Sequence, residues 1–263
     1  MGSHTLTNPE RFRAVAHWAG VDASTGEKAL QSAVPRMVVS GRLASGKDTV
    51  AEAAMTALGC TDAVRVSFAT PLRREVDELI DALRQHGPQN AQELVALTGG
   101  VPFEKAAKTA ELLCAALAGD PTIHSYVRTR EIRLALQEWG TEVRRASDSD
   151  YWVKQAMHEV IEHLAAGTPV YVTDARFINE VEPAKSLGFL AVRLEVELEV
   201  RAARLHARDG LSIDPAAENH PSEKELETYR GFHLWIDNSG PLDASVTVAV
   251  DALNEVFPAG APR

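Results

Sequence analysis

The run Gly41-Arg42-Leu43-Ala44-Ser45-Gly46-Lys47-Asp48-Thr49 constrains the fold more than any other stretch of the 263-residue chain. It follows a short apolar run, Met37 to Val39, and precedes Val50, Ala51, Ala54, Met55 and Leu58, which recur at helical spacing until Gly59 stops them. A G-x-x-x-x-G-K loop between a strand and a helix has the setting its chemistry requires. The glycines let successive backbone N–H groups turn inward, the helix start adds unpaired N–H groups and a positive dipole end, and Lys47 adds a full charge. Gly41, Ala44, Ser45, Gly46, Lys47, Asp48 and Thr49 therefore form a candidate cradle for a polyphosphate, with a glycine-rich turn that holds no nucleotide as the rival. Asp48 stands where Ser or Thr would ordinarily hold magnesium. Either it engages the metal through water, or it favours the helix start electrostatically while Thr49 contacts a phosphate.

Downstream the same alternation continues. Ala63 to Phe68, Val170 to Thr173, Leu190 to Val196 and Leu234 to Ile236 read as further short strands, each separated from the next by helical or turn-like sequence. That rhythm predicts an α/β fold, a parallel sheet of about five strands with helices on both faces. A long helical stretch, about 72–167, interrupts it and is broken at His86-Gly87-Pro88, Gly99-Gly100-Val101-Pro102 and Gly119-Asp120-Pro121; it is expected to be a helical cap. Residues 1–35 look separate from the rest of the chain, with a helix starting at Asn8-Pro9-Glu10 and ending at Gly20. The opening Met-Gly-Ser-His reads as an expression remnant, and 256–263 as a tail.

Composition narrows the function classes. With 45% hydrophobic and 24% charged residues the chain is globular, and its length admits one sizeable α/β domain or two small ones. No apolar run approaches the ~18 residues of a membrane span, and Glu10, Arg11 and Arg13 sit where a secretory signal would be apolar, so a cytoplasmic protein is expected. A net charge of −10 argues against an extended footprint on DNA. Cys60 and Cys114 lie in apolar helical surroundings without a C-x-x-C pair and read as inert. The nine histidines show no zinc-ligand spacing, and no G-x-S-x-G elbow suggests a serine hydrolase.

Two segments bear arginines at helical spacing. At ~100° per residue, Arg133, Gln137, Gly140, Thr141 and Arg144 fall on one face beside the apolar row Ile132, Leu136, Trp139 and Val143. That face could grip a phosphate through its arginines and read a base edge through Gln137, or could simply be solvated. Gly140 within such a helix costs ~1 kcal/mol relative to Ala, a cost that makes sense where a ligand or another chain segment approaches closely. Tyr151 and Trp152 are available to stack on a base or to fill the core. In the second segment Arg201, Arg204 and Arg208 share a face ~60° wide, which suits an anion-binding lid at about 200–225; the rival is a surface helix balanced by Glu197, Glu199 and Asp209. Between these segments, Asp174 and Arg176 emerge at the carboxyl end of a buried-type strand. The aspartate could orient hydrated magnesium or the acceptor and the arginine could neutralise phosphate, unless the two form a structural salt bridge.

Taken in order, Ser40–Thr49, Ser67-Phe68-Ala69-Thr70-Pro71-Leu72-Arg73, Leu136-Gln137-Glu138-Trp139-Gly140-Thr141-Glu142, Tyr151-Trp152-Val153, Thr173-Asp174-Ala175-Arg176-Phe177 and His220-Pro221-Ser222-Glu223 resemble the bacteriophage-type deoxynucleoside monophosphate kinases, over about 36–255. Animal-type phosphomevalonate kinases are similar too, through the Gly-Lys-Asp loop, the Trp-Gly-x-Glu helix and a late strand ending near Asn238-Ser239-Gly240; the Gly140-Thr141-Glu142 and Tyr151-Trp152-Val153 forms favour the nucleotide enzymes. The resemblance implies a P-loop nucleoside-monophosphate-kinase-like fold and Mg-dependent transfer of the ATP γ-phosphoryl group to a deoxynucleoside 5′-monophosphate, for dNTP synthesis in a bacterial or phage-infected cytoplasm. It implies Gly41–Thr49 and Arg201 for ATP, and Asp48 and Asp174 for magnesium. The acceptor falls to Arg73, Arg133, Gln137, Gly140, Thr141, Arg144 and Trp152; transfer falls to Lys47, Asp174, Arg176, Arg204 and Arg208. A phosphomevalonate-type kinase, a kinase of a hydroxymethylated base in DNA and a non-enzymatic nucleotide switch are the alternatives, and a homodimer stays open.

Overall fold

The computed structural model describes residues 6–127, 129–213 and 224–258. In chain order its helices are α1 (Pro9–Trp18), α2 (Ala23–Gln31), α3 (Lys47–Ala57), α4 (Ala69–His86), α5 (Ala91–Gly99), α6 (Phe103–Gly119), α7 (Arg130–Gln137), α8 (Tyr151–Ala165), α9 (Ile178–Ser186), α10 (Leu198–Asp209) and α11 (Leu242–Val256). A π-helical segment, Glu138–Arg145, continues α7. The strands are β1 (Arg36–Ser40), β2 (Val64–Val66), β3 (Val170–Ala175), β4 (Leu190–Glu195) and β5 (Leu234–Asp237).

The strands form one sheet in the order β2-β3-β1-β4-β5, and every neighbouring pair is parallel. From central β1 the chain runs out to β2 on one side and later returns to β4 on the other. The carboxyl end of β1 is therefore a topological switch point, where open α/β sheets place their ligands. All five residues of β1 are buried, as expected of a strand covered on both faces. Met37 and Val39 join Val192 and Leu194 in a core cluster closed by Val50 and Ala54 of α3 and by Ala249 and Leu253 of α11. Outside that cluster α9 packs on β4 and buries Val181 and Ala184. This is the α/β architecture, a parallel sheet of five strands packed with helices, that the sequence pattern predicts.

The chain divides into two compact units, 1–67 with 156–263, and 68–155. The first contains the sheet. Its amino-terminal residues do not stand apart from it: α1, capped by the Asn8 side chain on the N–H groups of Glu10 and Arg11, buries Phe12 and Ala16, and α2 buries Ala29. The second unit is helical, with a core of its own around Val76, Leu79, Ile80, Leu113, Ile132 and Trp139. The three glycine-containing breaks coincide with the ends of α4, α5 and α6. The helical unit ends at Gln155 rather than near 167, because Ala156, Met157, Val160 and Ile161 of α8 are buried in the sheet unit. Met1–His4, His220–Glu223 and 259–263 lie outside the described residues.

Candidate functional site

In the sheet unit the loop after β1 makes a tight turn into α3. Ser45 N–H bonds to the Arg42 carbonyl at 3.1 Å, Ala44 adopts φ +61°, and Gly46 caps α3 at φ +83°. A β-carbon at Gly46 would meet the Asn238 amide nitrogen at 2.8 Å, so both the left-handed backbone and the close approach require glycine here. Asn238, 2% exposed just beyond β5, donates from Nδ2 to the Ser45 carbonyl at 2.8 Å and fixes the loop from beneath. Lys47 reaches back across the loop to the Arg42 carbonyl, Nζ to oxygen 3.3 Å.

The arginine face of α10 runs along this loop. Arg201, 4% exposed, directs Nη1 at the Leu43 carbonyl at 3.4 Å. One turn on, Arg204 donates from Nη2 to the Asn238 carbonyl at 2.8 Å, while its Nη1 is buried without a hydrogen-bond partner among the described residues. Arg208 is exposed, bonds to Asp209 at 3.0 and 2.7 Å, and has its charged form further favoured by Asp48. Two of the three guanidinium groups, those of Arg201 and Arg204, thus sit against the loop or its Asn238 support. An orphaned N–H beside the loop and the buried Ser45 hydroxyl, also without a partner among the described residues, are groups that a polyphosphate would satisfy.

Beyond the loop lies an open cleft of about 590 Å³, lined in part by Arg42, Ser45, Arg193, Arg201, Asp237 and Ser239. Arg193, buried on β4 opposite Ser40 and donating to its hydroxyl at 2.9 Å, belongs to no sequence motif; an arginine inside the apolar strand Leu190–Glu195 is the available signal. Asn238 enters the sequence pattern only through the phosphomevalonate-kinase resemblance, which gives it no role. Arg42 pairs with Glu227 on the near side of this cleft.

The two carboxylates expected at a metal have different neighbours. Asp48 pairs with Arg65 at 2.8 Å and accepts from Thr173, which in turn accepts from Arg65 Nε at 3.0 Å. A guanidinium therefore already neutralises the carboxylate that the motif offers to magnesium. Asp174, near the carboxyl end of β3, accepts from the Ser67 hydroxyl at 2.5 Å. Arg176 follows with an exposed side chain, and buried Glu180 turns the chain by accepting from the N–H groups of Arg176 and Phe177 at 2.7 and 3.1 Å. Among the described residues no group of three His, Cys, Asp or Glu side chains forms a metal cluster.

In the helical unit the expected face is divided. Arg73 and Arg133 line an open cleft of about 580 Å³ together with Arg130, Tyr126, Ser125 and Thr129. Arg73 donates to the Ser125 carbonyl and lies 4.8 Å from the centre of the exposed Tyr126 ring. Arg130 and Tyr126 carry no motif that would mark them in the sequence. Gln137 and Thr141 are exposed and do not line the cleft, and Arg144 turns inward. Its Nε meets Glu75 at 2.8 Å, its Nη2 donates to the Gly99 carbonyl at 2.8 Å, and it lies 4.9 and 4.8 Å from the Trp139 and Tyr151 ring centres. Glu75 also accepts from Trp139 Nε1 at 2.8 Å and from Tyr151 at 2.5 Å. Burial, followed by Glu75, pushes the Tyr151 hydroxyl up to about 12.

Trp152 is 2% exposed and donates to the Gly140 carbonyl at 3.0 Å, so its ring fills the core instead of offering a face to a base. Gly140 meets another chain segment rather than a ligand: a β-carbon there would stand 3.0 Å from Leu72 and 3.7 Å from Trp152. The projection fails for a specific reason. From Glu138 to Arg145 the helix is π, not α, so residues after Gln137 rotate away from the face that an α-helical step assigns them.

Neither cysteine forms a disulfide among the described residues; Cys60 is buried and Cys114 partly so, its thiol pushed up by burial. No helix among the described residues is long and apolar enough to cross a membrane. No protein-family model matches the chain, and no curated protein matches it. Among solved structures, a gluconokinase from Sinorhizobium meliloti 1021 is 20% identical and superposes with a TM-score of 0.42, over 85% of this chain and 93% of that one.

Proposed function

We propose that this chain is an ATP-dependent phosphotransferase whose acceptor is a deoxynucleoside 5′-monophosphate. The observation that carries the donor half is the convergence of Lys47 and Arg201 on carbonyls of the loop after β1, with Arg204 on the Asn238 that supports it. The sequence resemblance supplies the acceptor class. Support for it comes from the helical unit, where Arg73, Arg130 and Arg133 line one cleft with an exposed Tyr126, a pairing of cations and aromatic ring suited to a phosphate attached to a base.

In this reading Gly41–Thr49 would hold the triphosphate, with Lys47 supplying positive charge to it. Arg204 and Arg208 meet the charge that develops on the transferring group, while Arg201 stays against the loop. Magnesium, when bound, supplies charge neutralisation across the phosphates. Asp174 is the carboxylate that would help to hold it, and Asp48, already paired with Arg65, ties the start of α3 to β2. Arg73 and Arg133 hold the acceptor phosphate, joined by Arg130. At pH 7 a monophosphate with a second pKa of ~6 is largely dianionic, so it attacks without a general base and the protein's work is alignment and neutralisation.

The test is ADP release from Mg·ATP with dTMP, dGMP, dCMP, dAMP and phosphomevalonate offered singly. Acceptor-dependent ADP production with one or more deoxynucleotides supports the proposal. Turnover of phosphomevalonate alone would transfer the reading to that kinase type, and ATP binding without turnover of any acceptor would leave a nucleotide-binding switch.

A further inference from the structure

At the other end of β1 from the phosphate loop, a cleft of about 430 Å³ is walled by residues from both chain ends, among them Leu6, Leu30, Ser32, Arg36, Phe257 and Pro258. Its polar floor is unusual. Arg36, the first residue of β1, is 3% exposed, donates from Nη2 to the Ser32 carbonyl at 3.1 Å, and lies 5.5 Å from the centre of the Phe257 ring. Its Nε and Nη1 are buried and have no hydrogen-bond partner among the described residues; the Ser32 hydroxyl, on the same cleft, has none either. A buried cation is ordinarily paired, because leaving water costs it far more than one hydrogen bond returns. No carboxylate contributes to its charged state, and burial alone pulls it down to about 10.

We propose that this cleft is a second ligand site, which takes a carboxylate carried on a short apolar body. The head group would give Arg36 the counter-charge and Ser32 the acceptor that each lacks. The body would lie against Leu6, Leu30, Val256 and Phe257, which make the rest of the wall largely apolar. This site is independent of the phosphoryl-transfer reading, since the whole of β1 separates Arg36 from Gly41. It also gives the amino-terminal helices a role, because Leu6 to Ala33 supply most of its wall.

The test is calorimetric or NMR titration of the full chain with sodium hexanoate and, separately, with hexanol, which offers the same body without the charge. The expected result is saturable hexanoate binding about tenfold or more tighter than hexanol. Arg36→Met should erase that difference, and Lys47→Met should leave hexanoate affinity unchanged. Replacing an unpaired buried cation with an apolar side chain of similar length is expected to preserve the fold. Ser32→Ala, which removes a hydroxyl that has no partner to lose, should weaken hexanoate about two- to fourfold and tests the site without touching Arg36. Equal affinities for hexanoate and hexanol, an absence of saturable binding, or unchanged hexanoate affinity in both variants would overturn the proposal.

Discussion

Two arginine-bearing helices look alike in the sequence and differ in the structure. On α10 the spacing of Arg201, Arg204 and Arg208 brings Arg201 and Arg204 onto the loop after β1 and its Asn238 support, with Arg208 at the exposed end of the face. On Arg133–Arg144 the same arithmetic fails. Arg133 faces a cleft, whereas Arg144 is drawn inward to Glu75, Trp139 and Tyr151. The difference lies in the backbone: α10 is α-helical throughout, while Glu138–Arg145 is π. A guanidinium's role is therefore set by the step of its helix and by the carboxylates within reach, not by its spacing alone.

The strongest way to break this comparison is Lys47→Met. If the loop receives a triphosphate, transfer should fall by ~10²–10³-fold, as for loss of one preorganised charge at a reacting group, with the circular dichroism spectrum unchanged. Retained activity would remove the loop from the mechanism. Arg204→Ala should lower kcat by ~10²-fold while ATP affinity, followed by titration, changes much less, because its orphaned Nη1 is available for charge that appears late. Equal losses in kcat and affinity would assign Arg204 to ground-state binding only.

The helical unit offers the sharper contrast. Arg133→Ala should raise the acceptor KM by about tenfold with no loss of stability. Arg144→Ala should do the reverse, costing about 3 kcal/mol in urea unfolding because Glu75 loses its counter-charge, with the acceptor KM nearly unchanged in the folded fraction. A matched pair of effects on KM would mean that the two arginines share a face after all. The smallest expected effect is that of Gly140→Ala. Alanine's helix preference, ~1 kcal/mol, works against the crowding of Leu72, so stability should move by less than about 1 kcal/mol and KM should not change.

The sheet was legible because its signals are local. Five short apolar runs and one glycine loop determine strand, turn and helix within a few residues of themselves, whereas the strand order, set by long-range packing, is not written in them. The loop residues were legible for the same reason. What escaped the sequence was set by distant partners. Asn238 lies 193 residues beyond the carbonyl it holds, and Arg193 matters because β4 places it beside Ser40. Arg130 and Tyr126 meet Arg73 only after α4 and α7 have packed. Trp152 could stack or fill a core on sequence grounds, and the carbonyl of Gly140 decided the matter. Asp48 fitted a motif, but its pairing with Arg65 depends on β2 lying beside β3.

On the proposed function, residues 41–49 receive the polyphosphate of a nucleoside triphosphate. Isothermal titration with Mg·ATP tests it most directly. Saturable heat with one site per chain is expected in the wild-type protein, with at least about a tenfold loss of affinity in Lys47→Met. Absence of heat at millimolar Mg·ATP, or identical isotherms for the two proteins, would contradict it.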